Sequence, residues 1–420
     1  MSSQVAPLLE RVLGPGLPVA ISAWDGSRTG PADAPATVVL KSPVALRRLL
    51  GAPNDLGFAR AYVAGDLDVE GDLYSVLELR EQVQHPHVGP NEIRDALQIL
   101  GKDTWTRPEL PPEEVKLSGR RHSKSRDAAA ISYHYDVSNA FYGMVLGPTM
   151  TYSCAVWPEA DTTLDQAQFA KYELISRKLG LQEGMRLLDV GCGWGGMLLH
   201  AAKEHGVTGV GVTISTQQAD LASKRVAEAG LTDRIKIRVQ DYRDIADGPF
   251  DAISSIGMFE HVGEAKLGGY FSQMRELLAP GGRFLNHGIA QPPRARRRPI
   301  VARAGFVGRY VFPDGELIEV GKVVSSMEEN GFEVREVENL REHYARTLRA
   351  WVANLEDNWD AAVAEVGEGR ARVWRLYMAG SAVGFEAGII QIHHSLAVRH
   401  EPGSSGLPPR PDWDIRPLVR

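Results

Sequence analysis

The sequence predicts an α/β protein whose mostly parallel sheet carries helices on both faces, preceded by a small N-terminal α/β domain. From residue 164 onward, short apolar runs alternate with stretches of helical periodicity, the order expected of successive βαβ units. One run, Leu187, Leu188 and Val190, passes directly into Gly191, Gly193 and Gly195, after which a helical pattern resumes. The 420-residue length allows two domains, and 43% hydrophobic with 24% charged residues is ordinary for a folded, water-exposed chain.

Residues 1–110 read as an accessory domain. Strands at 19–21 and 37–40 are separated by the turn-rich Asp25-Gly26-Ser27 and Gly30-Pro31-Ala32-Asp33. Helical spacing follows at 43–50, 58–67 and 91–100, with a break at 86–89 and no catalytic pattern. Residues 111–127 read as a linker ending in the basic run Gly119-Arg120-Arg121-His122-Ser123-Lys124-Ser125-Arg126. Such a run is a solvated connector or a contact for anionic lipid head groups.

The second domain spans 128–420. It opens with a polar and aromatic crowd containing Tyr133, Phe141 and Tyr142, followed by Tyr152, Ser153 and Cys154. Helices are expected at 164–179, 217–228 and 266–278, and strands at 187–190, 208–212, 235–239, 250–256 and 283–286. A helix and then a strand fill 372–394.

Net charge of −6 gives no basic footprint for nucleic acid, so no nucleic-acid partner is expected. Two cysteines make no disulfide framework and fit a reducing compartment. The first ten residues lack a basic region followed by an apolar core, and no apolar run reaches the roughly 18 residues of a spanning helix. The expected location is cytoplasmic, with any membrane contact peripheral to the inner face.

The glycine turn reads G-x-G-x-G. A dinucleotide site would read G-x-G-x-x-G, with an acid about 20 residues on for a ribose hydroxyl. Here the next strand ends in uncharged Thr213-Ile214-Ser215-Thr216-Gln217-Gln218, while Asp189 precedes the first glycine. That carboxylate suits a cationic ligand such as S-adenosylmethionine, which carries a sulfonium and an ammonium and no phosphate. A plain tight strand-to-helix turn is the alternative. Ligands of such sheets bind beyond the carboxyl ends of the strands, which selects Asp189 with the glycines, 213–218, Asp241-Tyr242, Glu260-His261 and His287. No run of His, Cys or Asp has metal-ligand spacing along the chain, so no metal is expected.

Several further motifs stand in order: Tyr152-Ser153-Cys154, Leu188-Asp189-Val190-Gly191-Cys192-Gly193-Trp194-Gly195, Thr213-Ile214-Ser215, Met258-Phe259-Glu260-His261-Val262-Gly263, His287-Gly288-Ile289, Tyr310-Val311-Phe312-Pro313 and His343-Tyr344-Ala345-Arg346-Thr347-Leu348. Together they resemble the cyclopropane-fatty-acyl-phospholipid synthase family over roughly residues 127–395. The stretch 58–67 also resembles the N-terminal domain of the longer, phospholipid-acting members. The resemblance implies a Rossmann-like class I methyltransferase fold and S-adenosylmethionine-dependent methylation of cis double bonds in lipid acyl chains. Cofactor contacts carry over to Tyr152, Ser153, Asp189, Gly191, Cys192, Gly193, Gly195, Thr213, Ser215, Gln218, Asp241 and Tyr242. Gln218 would serve the ribose, Asp241 and Tyr242 would lie by the adenine, and Trp194 would pack near the cofactor.

An alkene is a weak nucleophile, so methylation needs close alignment with the sulfonium, and attack leaves a carbocation that aromatic faces can stabilise. Tyr133, Phe141, Tyr142 and Tyr344 are the aromatic residues available. The family's base is a bound bicarbonate, and its holders carry over as Cys154, Glu260, His287, Ile289 (through its backbone) and Tyr344. Each has a bland alternative: a buried small thiol, a loop histidine, a tyrosine covering the core. Of the adjoining Glu260 and His261, the resemblance selects Glu260. The arginine run 294–299 is either a solvated loop or a phosphate contact at a pocket mouth.

Two departures bear on the product: Glu386 stands where members often have arginine, and Gln391 is followed by Ile392-His393-His394. Composition and the N-terminal unit resemble actinobacterial enzymes that make a 10-methylene acid, the precursor of tuberculostearic acid, in preference to a cyclopropane. The partners implied are unsaturated phospholipid at the membrane surface, a second copy of the chain as a homodimer, and a reductase for a methylene product. A small-molecule N-methyltransferase and a non-catalytic lipid-binding protein are the rival readings.

Overall fold

The computed structural model describes residues 4–82, 89–101, 106–115, 137–293, 305–313 and 315–415. Tyr133, the basic run 119–126 and the arginine run 294–299 lie outside them. The chain forms two compact units: Met1–Lys116 with Arg298–Pro313 and Trp359–Val383, and Leu117–Arg297 with Asp314–Asn358 and Gly384–Arg420. This differs from a single boundary near residue 110, because two later segments fold with the N-terminal one. Ties within the first unit explain why. The Arg60 guanidinium forks onto Glu114 at 2.8 and 2.7 Å, the Tyr310 hydroxyl donates to that same carboxylate, and Arg372 pairs with Asp68 at 3.0 Å.

The first unit holds a four-stranded sheet of β1 (Ala20–Ala23), β2 (Arg28–Thr29), β3 (Ala36–Leu40) and β4 (Leu67–Gly71), in the order β2-β1-β3-β4. Helices Pro43–Gly51 and Asp55–Val63 start where Ser42 and Asn54 accept the backbone N–H of Val44 and Leu56. The spacing predicts one helix over 58–67. The chain instead leaves the helix at Ala64, turns at Gly65 and enters β4.

The second unit is built on β5 (Arg186–Val190), β6 (Thr208–Thr213), β7 (Ile235–Val239), β8 (Phe250–Ile256), β9 (Leu278–Gln291), β10 (Ile318–Glu319), β11 (Phe332–Asn339) and β12 (Gln391–Arg399). Their order is β11-β12-β9-β8-β5-β6-β7, with β10 beside β9. β5 to β9 run parallel where they pair, and β12 is antiparallel to both neighbours. Successive side chains of a strand point to opposite faces, and the core divides accordingly. Leu188, Ile253 and Phe284 pack with Tyr270, Phe271 and Met274 on one face. Leu187, Ala252 and Leu285 pack with Ile175, Leu198 and Ala201 on the other. Burial on both faces explains why these strands read as apolar runs without alternation.

From β5 the chain adds β6 and β7 on one side and then returns to place β8 on the other. This reversal opens a crevice at the carboxyl ends of the strands. Helix Leu164–Leu179 keeps its sequence-predicted bounds, since Thr163 and Gln166 cap each other's backbone and Gly180 ends it in a left-handed conformation.

Gly288 on β9 tests this packing. A Cβ there would lie 1.7 Å from Cε1 of buried Phe259, so Gly288→Ala is expected to destabilise the fold by about 3 kcal/mol. Thermal unfolding should fall by roughly 5 °C; an unchanged melting temperature would contradict the packing described.

Candidate active site

The turn after β5 shapes the crevice. Gly191 has φ of 78° and Gly195 φ of 79°, conformations that exact strain from any side-chain-bearing residue. A Cβ on Gly191 would also meet the Met258 side chain at 3.1 Å. The N–H groups of Gly191 and Cys192 both donate to the Val212 carbonyl at 3.0 Å, tying the turn to β6.

A cavity at this end of the sheet encloses about 1170 Å³ of empty space, its open mouth included. Ten of the residues selected from sequence line it: Tyr152, Ser153, Asp189, Gly191, Cys192, Gly193, Thr213, Gln218, Asp241 and Tyr242. Trp194 also lines it, its Nε1 donating to Asn139 Oδ1 at 2.8 Å. Gly195 and Ser215 stand outside the lining and have structural tasks. Gly195 opens helix Gly196–His205, and Ser215 caps helix Thr216–Glu228 by accepting the Gln218 N–H at 3.3 Å. Gln218 accepts from the Thr213 hydroxyl at 2.9 Å, and the Arg243 guanidinium donates to Asp241 at 2.8 and 2.6 Å.

Asp189 is buried and accepts a 2.7 Å hydrogen bond from Ser254 Oγ. Burial pushes its pKa up to about 6, against the opposing pull of Ser254 and Lys171. Lys171, missing from the sequence-selected set, also lines the cavity. Its fully buried ammonium donates to Ser153 Oγ at 3.0 Å, lies 3.8 Å from the Tyr172 ring centre, and is pulled down by burial to a pKa of about 7. The available signal was its place beside Ala167, Ala170 and Leu174 on the inward face of helix Leu164–Leu179, where a lysine is out of pattern.

Cys154, Glu260, His287, Ile289 and Tyr344 do not line this cavity, though several adjoin residues that do. Ser153 precedes Cys154, His261 follows Glu260, and the Gly257 N–H donates to the His287 carbonyl at 2.8 Å. Most of the five are joined through a backbone network. Ile289 donates its N–H to Glu260 Oε1 at 2.6 Å and pairs in register with Ile392. The Ile392 carbonyl accepts from Leu340, whose own carbonyl accepts from Tyr344 N–H at 3.1 Å and from the Cys154 thiol at 3.7 Å. His287 lies two residues before Ile289 on β9 and faces His394, with His287 Nδ1 and His394 Nε2 2.6 Å apart.

Two polar atoms of this group, Glu260 Oε2 and His287 Nε2, are buried with no hydrogen-bond partner among the described residues. Burial raises the Glu260 carboxyl to about 7, opposed by the Ile289 N–H, and holds His287 far toward its neutral form. The Cys154 thiol is likewise pushed up by burial and stays protonated. An aromatic file links the two regions. Tyr142, which packs on Trp194, meets Tyr152 at 5.8 Å between ring centres, Tyr152 meets Trp351 at 5.3 Å, Trp351 meets Tyr344 at 6.0 Å, and Tyr344 meets Phe385 at 4.7 Å. Glu386, at one departure from the family pattern, is engaged by Arg349 at 2.8 Å.

The expectation of no metal rested on spacing along the chain. Among the described residues the fold brings Glu173, His200 and His205 together, with their ligand atoms within 4.8 Å of one another.

The profile of the mycolic acid cyclopropane synthetase family matches residues 122–395. The chain belongs to this family. Its relatives include a probable fatty acid methyltransferase, Rv3720, of Mycobacterium tuberculosis (strain ATCC 25618 / H37Rv), 46% identical over 94% of this chain and 95% of that one. The tuberculostearic acid methyltransferase UfaA1 of the same strain is 32% identical over 96% of this chain and 92% of its own. The cyclopropane-fatty-acyl-phospholipid synthase of Escherichia coli (strain K12) is 33% identical over 86% and 87%. Among solved structures, mycolic acid cyclopropane synthase CmaA1 complexed with SAH and CTAB aligns with a TM-score of 0.61 and 35% identity, covering 64% of this chain and 98% of that one. The mycolic acid cyclopropane synthetase family thus places the chain among S-adenosylmethionine-dependent fatty acid methyltransferases and cyclopropane synthases, with their Rossmann-like class I fold. Among the described residues no helix is long and apolar enough to cross a membrane.

Proposed function

We propose that this enzyme methylates the cis double bond of an oleoyl-type acyl chain in a membrane phospholipid, and that a 10-methylene acid is its product in preference to a cyclopropane. The carrying observation is the pair of orphaned polar atoms, Glu260 Oε2 and His287 Nε2, buried next to the wall of a cofactor cavity. Such atoms are costly unless a ligand satisfies them. S-adenosylmethionine, when bound, supplies an electrophilic methyl group.

Asp189 supplies the negative charge for the cofactor's cationic groups, and the glycine turn lets the backbone approach closely. The rings of Tyr142, Tyr152 and Tyr344 offer faces to positive charge that develops on an acyl chain, each worth about 0.5–2 kcal/mol when desolvated. Cys154, Glu260, His287, Ile289 and Tyr344 are the residues that would hold a small oxyanion such as bicarbonate, which would supply a base at this place. Glu260 Oε2 and His287 Nε2 are free to receive it, whereas the Ile289 N–H now engages Glu260 and would have to exchange partners. Similarity to relatives named for fatty acid and tuberculostearic acid methylation supports the methylene product. A reductase would then be needed to reach the 10-methyl acid. The phospholipid substrate, met peripherally at the membrane face, draws support from the Escherichia coli relative's name.

The test is incubation of the full chain with carbon-13-methyl S-adenosylmethionine and dioleoyl phospholipid vesicles, followed by NMR of the released acids. Vinylidene protons identify the methylene product and upfield ring protons the cyclopropane; the two are isomers of equal mass. Label in an added amine and none in lipid would favour an N-methyltransferase instead. No S-adenosylhomocysteine under any of these conditions would refute the reading.

A further inference from the structure

We propose that Glu173, His200 and His205 form a binding site for a single zinc-like divalent cation. Glu173 lies on helix Leu164–Leu179, and both histidines lie on helix Gly196–His205. The two imidazoles converge through their Nε2 atoms on one carboxylate oxygen: His200 Nε2 is 3.3 Å and His205 Nε2 is 2.9 Å from Glu173 Oε2. Ligand atoms held at about 2.0–2.2 Å around a tetrahedral zinc stand about 3.3–3.6 Å apart; the two nitrogen–oxygen separations are close to that edge and all three ligand atoms lie within 4.8 Å of one another, so side-chain adjustment with the backbone in place would seat the ion. Two imidazoles and a carboxylate with a fourth position left for water match zinc; calcium and magnesium favour all-oxygen sets.

The surroundings hold the set in place. The His200 ring stands edge-on to Phe169 at 4.9 Å and tilts against Tyr172 at 5.8 Å. Arg177 donates to Glu173 Oε1 at 2.8 Å, the opposite oxygen, which is the kind of outer bond that fixes a ligating carboxylate and leaves Oε2 to the ion. His205 retains 19% side-chain exposure, which gives the ion access from solvent. One ligand helix begins at the cofactor turn and the other carries Lys171 and Tyr172 of the cavity wall, so the ion would clamp together two elements that shape the cofactor site. The inference does not depend on which lipid is methylated.

The full chain, stripped with a chelator and dialysed, is titrated with zinc against a chromophoric chelator and with cobalt(II) under visible spectroscopy. About one tight zinc per chain and the intense absorption of tetrahedral cobalt are expected. His200→Ala and Glu173→Gln should each weaken binding by roughly a hundredfold or more, a loss at least as large as outer-ligand changes produce. His205→Ala, at the partly exposed position, should do the same with an unchanged circular dichroism spectrum. Zinc should also raise the melting temperature of the wild type and leave that of His205→Ala where it was. Wild-type affinity equal to that of His205→Ala, or only octahedral cobalt, would overturn the proposal and leave a hydrogen-bonded cluster.

Discussion

Glu260→Gln is expected to lower methyl transfer by roughly 10² to 10⁴-fold, the usual worth of a positioned acid–base group, while S-adenosylmethionine affinity stays near wild type. Glu260 is outside the cofactor cavity, and its partner is the Ile289 N–H, so the amide disturbs the deprotonating side alone. The same substitution should stabilise the protein above neutral pH. Burial raises the carboxyl from 4.5 to about 7, so between those values the folded state keeps a proton that the unfolded chain releases. The stability given by the neutral carboxyl is therefore complete below about 4.5 and is lost as pH rises through 7. At pH 8 the charged form costs on the order of 3 kcal/mol, which glutamine does not incur. Turnover in the wild type should rise with pH through about 7, because an ionised Glu260 is the form whose Oε2 can accept the O–H of the bound bicarbonate and relay the proton that it takes from the acyl cation. Measured kcat, cofactor affinity and urea midpoints at pH 6 and 8 decide it. A Glu260→Gln enzyme that turns over normally, or one that loses the cofactor, would remove Glu260 from the role assigned to it.

What the sequence made legible was local chemistry. β5, β6 and β8 lie where the apolar runs lie, because strands covered on both faces leave little alternation, whereas β7, at the sheet edge, was legible from the alternation of Ile235, Ile237 and Val239 with Lys236 and Arg238. Helix Leu164–Leu179 was readable to the residue because both ends carry their own stop signals in Thr163, Gln166 and Gly180. The rule that ligands gather beyond strand ends selected Asp189, Gly191, Gly193, Thr213, Gln218, Asp241 and Tyr242, and the family resemblance added Tyr152, Ser153 and Cys192; all ten line the cavity. Features set by tertiary approach were not legible. Lys171 reaches Ser153 across 18 residues, and His200 and His205 meet Glu173 across 27 and 32. Two segments far along the chain join the N-terminal unit through Glu114 and Asp68. Ser215 and Gly195 belong to motifs that do two things at once, and only the fold separates the residues that line the cavity from those that start a helix.

Asp189→Asn should have the complementary effect, weakening S-adenosylmethionine binding by roughly 10 to 100-fold, the worth of a hydrogen-bonded charge in a buried setting. Asparagine keeps the shape and the Ser254 contact while removing the charge. The wild-type carboxyl is raised to about 6, so cofactor affinity should fall as pH drops through that value, and the asparagine variant should bind with no such dependence. Comparing S-adenosylmethionine with S-adenosylhomocysteine locates the interaction, since the second keeps the ammonium and lacks the sulfonium. Equal losses place the carboxylate on the ammonium, and a loss confined to S-adenosylmethionine places it on the sulfonium. Calorimetric affinities that match the wild type for both compounds would mean that Asp189 is buried for the sake of β5 and β8 alone. Because Lys171 shares this interior and is itself pulled down to about 7, neutralising Asp189 should pull it lower still. The variant is thus expected to leave a neutral Lys171 amine on Ser153 and to strip the cavity wall of both charges, which separates it from Glu260→Gln by the step that fails: binding in one, turnover in the other.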